Sequence, residues 1–202
     1  MKLRDFFILT LLLFFFLVGC SPEDPSATPT PVGGSVWYVA TDGDDSNVCS
    51  SPSTPCQTIA GGIAQAAAGD VVEVSGGFYM EYDTLVNAAL YIDKDISLIG
   101  TGTDRVTIDG RGETAVIVIR EGANVVIENF RIRNGGSIVG HGIDINDGTL
   151  TLRNSVIRNN SGAGILMWQP SSVTLEQVTI RNNQLQGVVQ RSINPATSAA
   201  EF

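Results

Sequence analysis

Val125-Val126-Ile127-Glu128-Asn129-Phe130-Arg131-Ile132-Arg133-Asn134, Leu150-Thr151-Leu152-Arg153-Asn154-Ser155-Val156-Ile157-Arg158-Asn159 and Val173-Thr174-Leu175-Glu176-Gln177-Val178-Thr179-Ile180-Arg181-Asn182 align residue for residue, at offsets of 25 and 23. Repetition of this period marks a chain made of stacked, equivalent units. Within each copy the apolar residues alternate, at 125 and 127, 150 and 152, 173 and 175, then at Ile132, Ile157 and Ile180. Alternation of period two is the pattern of short strands with one buried face. Each copy therefore holds two strands joined by a tight corner.

A third strand opens with glycine in each unit, at Gly142-Ile143-Asp144-Ile145, Gly164-Ile165-Leu166-Met167 and Gly187-Val188-Val189-Gln190. Three short strands per repeat describe one coil of a solenoid. A less regular coil precedes them, with Ile96-Ser97-Leu98-Ile99, Val106-Thr107-Ile108 and Ala115-Val116-Ile117-Val118-Ile119 as its strands. Turns at Gly100-Thr101-Gly102 and Asp109-Gly110-Arg111-Gly112 separate them. Val71-Val72-Glu73-Val74 is expected to start the stack. No coil buries its inward residues alone, so each strand must lie on its equivalent in the next coil, ~4.8 Å away, forming parallel sheets.

Asn134, Asn159 and Asn182 recur where the second strand ends, and stacked amides at such turns bond to their copies and to backbone groups. They are expected to form a structural ladder; the alternative is a row of amides lining a sugar-binding groove. Thr58 to Ala68, with Ile59, Ile63, Ala64, Ala66 and Ala67 on one side and Gly69-Asp70 at its end, reads as a short capping helix. It would cover the N-terminal end of the solenoid.

The chain's first residues have a different character. Lys2 and Arg4 precede an apolar run from Phe6 to Val18 and small residues up to Cys20, the layout of an export signal over residues 1–19. Leu17-Val18-Gly19-Cys20 resembles the lipobox of bacterial lipoproteins, which implies lipidation of Cys20 and anchoring to a membrane rather than spanning it. Ser21 beside it implies sorting to an outer membrane, where the host has one. Residues 20–35, rich in Pro, Ser and Thr, cannot build a core and read as a tether. Residues 36–70 form an N-terminal strand, loop and cap, 71–191 the coils, and 192–202 a tail.

Charge narrows the partners. The formal charge is −9, and loss of residues 1–19 removes Lys2, Arg4 and Asp5, leaving −10, which repels phosphate backbones. Nucleic acid is not an expected partner. Cys49 and Cys56, an even pair in an exported chain around Pro52 and Pro55, are expected to form a disulfide.

Trp37-Tyr38-Val39-Ala40-Thr41-Asp42-Gly43, the Cys-Pro-rich loop, Thr58-Ile59, Gly69-Asp70-Val71-Val72 and the Ile-Arg-Asn repeats together resemble exported right-handed parallel β-helix proteins of the pectate-lyase-like superfamily. More closely they resemble large bacterial surface proteins built from such repeats. The likeness covers about residues 36–190. It implies an all-β right-handed parallel β-helix with a short N-terminal capping helix. Function does not follow, because the superfamily includes lyases, glycoside hydrolases, esterases, adhesins and repeats without activity.

The resemblance implies two enzymatic chemistries as alternatives. Polygalacturonase-like hydrolysis needs paired carboxyls about 6.5–9.5 Å apart, with a Gly-His-Gly downstream. Gly140-His141-Gly142 is present, but the coil just upstream offers Arg131, Arg133 and Asn134 where the aspartate pairs should be, and Asp144 and Asp147 follow it; a glycine-rich strand opening explains it as well. Pectate-lyase-like elimination needs calcium on acidic residues and a base, often Arg. Arg133, Arg158 and Arg181 form a row that suits an anionic polysaccharide, with Glu128 and Glu176 expected beside it; solvated surface charge is the alternative. Asp42, Asp44, Asp45 and Asn47 crowd oxygen ligands that suit calcium into one loop, although turn formation explains them without a metal. No other cofactor is expected.

The chain is therefore expected to be an exported, surface-anchored, non-catalytic lipoprotein that adheres to or binds a polysaccharide or surface partner. The alternatives are a polysaccharide-active enzyme, lyase before hydrolase, and a structural spacer. Arg191 to Phe202 reads neither as a further coil nor as an amphipathic cap, so the chain is expected to be a fragment or to end after a frameshift, with Glu201-Phe202 as a cloning scar.

Overall fold

Alternation in the sequence becomes alternation in space. The computed structural model describes residues 34–113, 115–136 and 140–192. In chain order they form β1 (Val36–Val39), α1 (Ile59–Gln65), β2 (Asp70–Ser75), β3 (Phe78–Tyr79), β4 (Ala88–Ile92), β5 (Ile96–Thr101), β6 (Val106–Asp109), β7 (Ala115–Ile119), β8 (Ala123–Glu128), β9 (Phe130–Arg133), β10 (Ile143–Asn146), β11 (Gly148–Arg153), β12 (Val156–Arg158), β13 (Ile165–Trp168), β14 (Ser172–Glu176), β15 (Thr179–Arg181) and β16 (Val188–Arg191). Sheet one runs β1-β2-β5-β8-β11-β14, sheet two β3-β6-β9-β12-β15 and sheet three β4-β7-β10-β13-β16. The chain visits the three in turn, and the strands of each sheet pair in parallel.

The register is the one the repeats dictate. Leu150 lies between Val125 and Val173, Ile157 between Ile132 and Ile180, and Ile165 between Ile143 and Val188. A slip of one residue would turn every inward side chain to solvent, so burial fixes the pairing. Phe130, Ile108, Ile117, Ile127, Ile132 and Ile143 are fully buried in the column that results.

Corners require backbone that most side chains resist. Asn129, Asn154 and Gln177 turn the chain from sheet one to sheet two at φ of 68°, 45° and 55°, and Asn134, Asn159 and Asn182 end sheet two at 60°, 57° and 55°. Asparagine tolerates this left-handed region because its short amide bonds locally. The backbones of these last three stack, Asn134 N–H donating to the Asn159 carbonyl at 3.2 Å and Asn159 N–H to that of Asn182 at 3.0 Å.

Their side chains are exposed, however, and the buried amide ladder lies one residue further on. Asn160 accepts from Gly135 N–H through Oδ1 at 2.8 Å and donates through Nδ2 to Asn183 Oδ1 at 2.9 Å. The first copy carries Gly135 at that position, so the column is hidden in the alignment. Asn134, Asn159 and Asn182 are thus corner residues, not the side-chain ladder expected.

The N-terminal end differs from expectation in three respects. Sheet one begins with β1, which pairs with β2 from Val36↔Val71 to Val39↔Val74, so the stack starts one strand before Val71. The helix stops at Gln65 rather than Ala68. Ala66 turns extended, and Asp70 draws the chain away by accepting from Ala67 N–H and Trp37 Nε1, both at 2.8 Å. Finally, β3 and β4 complete the first coil; β3 has two residues, and Ala88, Ala89 and Leu90 are buried without a break, so neither alternates. The outer edge of β1 is closed by the disulfide loop, with Tyr38 N–H bonded to the Cys49 carbonyl and Cys56 N–H to the Tyr38 carbonyl, each at 2.8 Å.

Three acceptors hold the start of α1. Thr58 Oγ1 accepts from Gly61 N–H at 2.9 Å, and the two oxygens of Glu81 accept from Ile59 and Ala60 N–H at 2.6 and 2.9 Å. Burial outweighs those two bonds and pushes the Glu81 carboxyl up from 4.5 to about 7. A carboxyl raised in the folded state keeps its proton while the unfolded chain releases it, so this contribution to stability falls as pH rises from 4.5 to about 7. Thermal melts across that window should show the decline in the wild type and lose it in Glu81→Gln.

At the other end, among the described residues, the inward side chains of β14 and β16 pack against the preceding coil, and Leu175 is 40 % and Val188 39 % exposed. The tail from 193 onward, like the export signal, Cys20 and most of the tether, lies outside the described residues.

Candidate functional site

The outward face of sheet two is built by its register. Arg133, Arg158 and Arg181 stand in one column, joined in β9, β12 and β15 by direct pairing, and Asp109 of β6 occupies the same column one coil earlier. Successive strands are spaced about 4.7–4.9 Å, so the guanidinium bases are held in a close file. Arg131 flanks them in the neighbouring column, opposite Val156.

Their environments differ. Arg133 Nε donates to Asp109 Oδ2 at 2.8 Å, and its guanidinium lies over the Phe78 ring at 5.1 Å. Among the described residues no carboxylate reaches salt-bridge distance of Arg158 or Arg181. Arg158 Nε is shut off from solvent without a hydrogen-bond partner. Burial first, and then Arg131, Arg181 and Arg133, push the Arg158 pKa down.

Each of these arginines is followed by the exposed corner asparagine of its coil. Asn134, Asn159 and Asn182, with Asn160, Ser161 and Gln184, line an open cleft of about 370 Å³. A smaller hollow bounded by Asp109, Arg133, Asn134 and Asn159 adjoins it. The face thus offers, coil by coil, one cation and one amide. Such donors take carboxylates and hydroxyls.

The other candidates are placed elsewhere. His141 is buried, its Nδ1 accepts from Ala163 N–H at 2.9 Å, and burial pushes its pKa down. Asp144 pairs with Arg120 at 3.3 Å on sheet three. Glu128 and Glu176 do not flank the arginine row; they share an outward column of sheet one with Arg153 between them. Arg153 Nε binds Glu176 Oε2 at 2.9 Å, and Asn154 Nδ2 binds Glu128 Oε1 at 3.3 Å. The period-two pattern could not show this, because it assigns a residue to a face without saying which of three sheets it belongs to.

In the acidic loop the oxygens already have work. Asp45 accepts from Gln57 N–H, Thr58 N–H and Thr58 Oγ1, Asp44 accepts from Ser46 N–H at 2.8 Å, and Asn47 Nδ2 donates to the Pro55 carbonyl at 2.9 Å. These bonds tie the loop to the helix start, and Asp42 is left exposed. Among the described residues no group of three His, Cys, Asp or Glu side chains converges to hold a metal. Cys49 and Cys56 are joined as expected, with Cα atoms 5.1 Å apart.

Residues 99–198 match the family model described as a right handed beta helix region. Among solved structures, the chain is similar to the GH136 lacto-N-biosidase from Eubacterium ramulus at a TM-score of 0.51 and 15 % identity, over 77 % of this chain and 34 % of that one. A rhamnogalacturonan lyase aligns at 0.45 and 12 %, over 79 % and 51 %. Pectate lyase Pel9A aligns at 0.46 and 16 %, over 83 % and 56 %. The chain spans about a third to a little over half of these proteins, and at such identities the likeness is one of fold. No curated protein sequence matches it. Its three parallel sheets give the described chain the fold of a right-handed parallel β-helix, the fold that the model matched by residues 99–198 describes.

Proposed function

We propose that this chain is a lipid-anchored, non-catalytic protein of the cell surface that holds an anionic glycan on the outward face of sheet two. One observation carries the reading: Arg158 and Arg181 are cations without carboxylate partners among the described residues, set beside an amide-lined cleft on a chain of formal charge −9. A basic strip on an acidic body draws a polyanion to that strip and repels it elsewhere. Corner amides supply neutral donors and acceptors for sugar hydroxyls.

Arg158→Ala is expected to weaken binding of a polyuronate by about tenfold, the loss of one charge-assisted contact. Isothermal titration at low and high salt checks this, with the wild-type affinity falling as salt rises. Equal affinity in wild type and variant would overturn the reading. The same polymer should emerge without new reducing ends or unsaturated products; turnover that disappears with Arg158→Ala would make the face a lyase site instead.

Anchoring rests on Leu17-Val18-Gly19-Cys20 and the Pro-rich stretch after it. Cys20→Ala should abolish incorporation of labelled fatty acid and release the protein from the membrane fraction. Retention of both in the variant would exclude the anchor.

A further inference from the structure

Asp109 stands out because it is a carboxylate within a file of arginines. It is 4 % exposed and stands in register with Arg133. Its Oδ2 accepts from Arg133 Nε at 2.8 Å, and its Oδ1 accepts from Asn134 Nδ2 at 2.7 Å and from Arg111 N–H at 2.9 Å. One carboxylate therefore engages, with its two oxygens, both members of an Arg-Asn pair. The next two coils repeat the pair in sequence, Arg158-Asn159 and Arg181-Asn182, with no carboxylate on either arginine among the described residues; the register positions before them are held by Arg133 and Arg158, so a ligand carboxylate reaches these pairs from the open, outward side.

We infer that Asp109 is a built-in substitute for the ligand: it fills the Arg133-Asn134 pair and sets the register, so that an incoming chain places its carboxylates on Arg158-Asn159 and Arg181-Asn182. The inference rests on the glycan-binding reading and deepens it. The ligand class is a linear polymer with a carboxylate on each of two successive residues, a polyuronate, because the internal example shows a planar, two-oxygen acceptor shared between a guanidinium and an amide. A third carboxylate, aimed at Arg133, would meet the Asp109 charge and find Arg133 Nε and Asn134 Nδ2 already engaged. Asp109 is thus a specificity-determining residue that limits how many carboxylates of the ligand are engaged. Phe78, on the Arg133 guanidinium at 5.1 Å, holds that side chain down in its filled state.

The test uses oligouronates of two and three residues, titrated into the full chain. Wild type should bind both with equal affinity, since the third carboxylate finds no place. Asp109→Asn should bind the three-residue oligomer about tenfold more tightly than the two-residue one. The double variant Asp109→Asn with Arg133→Gln, which removes the pair without adding net charge, should return to the wild-type pattern. A wild type that already favours the longer oligomer tenfold, an Asp109→Asn protein without length preference, or a double variant as weak as Arg158→Ala would each overturn the inference. The wild-type length comparison stands even where the variants do not fold. Failure of the glycan-binding reading itself looks different: neither oligomer binds wild type, or Arg158→Ala binds as wild type does, and the inference falls with it.

Discussion

Phe130→Ala is expected to destabilise the fold by about 3–5 kcal/mol, a large share of the roughly 5–15 kcal/mol that separates folded from unfolded domains. Phe130 is fully buried in the main core, is among its largest enclosed side chains, and lies in register on Val106. The next repeat carries Ser155 at the equivalent position, and its Oγ accepts from Phe130 N–H at 3.1 Å. One coil thus places a ring where its neighbour has a small hydroxyl, and the ring fills the difference. Neither neighbour can grow into the space when the ring is removed, so the cavity stays. Urea unfolding of wild type and variant measures the loss, and Phe78→Ala is the control. That ring is 47 % exposed, and its removal should cost a few tenths of a kcal/mol by the rule that surface changes are small. Comparable losses in the two variants would show that the coil does not depend on Phe130.

Replacing Cys49 and Cys56 together by Ala should cost about 2–3 kcal/mol from the released loop alone, the chain-entropy value for so short a closure. The cysteines are seven residues apart and both fully buried. Their backbones also close the outer edge of β1, so loosening the loop exposes the first edge of sheet one. Coils contact only their neighbours, so the damage should begin at the N-terminal end and spread from there. Hydrogen exchange is the measurement: amides of β1 and β2 should lose protection first, while those of β8 to β12 keep it. Uniform loss over all coils would show that the solenoid unfolds as one unit.

Much of this architecture was legible because a solenoid is periodic twice over. Alternation in Val125-Val126-Ile127 and its copies names the buried face of each strand, and recurrence at the coil period names the partner strand, so register followed from alignment alone. Where either period fails, the reading fails with it. β3 is too short to alternate, β4 opens with three buried residues in a row, and Gly135 interrupts the amide column that Asn160 and Asn183 continue. The helix end was misplaced because Asp70, Ala67 and Trp37 are brought together by folding, and propensity carries no trace of that contact.

For the functional face the division is sharper. The stacking of Arg133, Arg158 and Arg181, the alternation of the repeat strands and the Cys49–Cys56 pair are readable from spacing along the chain alone. Folding settles which of those arginines is already paired with a carboxylate, that Glu128 and Glu176 attend Arg153 on another sheet, and that His141 is enclosed. The physical reason is that periodicity fixes direction and neighbour within a sheet, whereas the charge a side chain meets depends on which sheet its partner joins and how deeply both are buried. Those are properties of the closed coil.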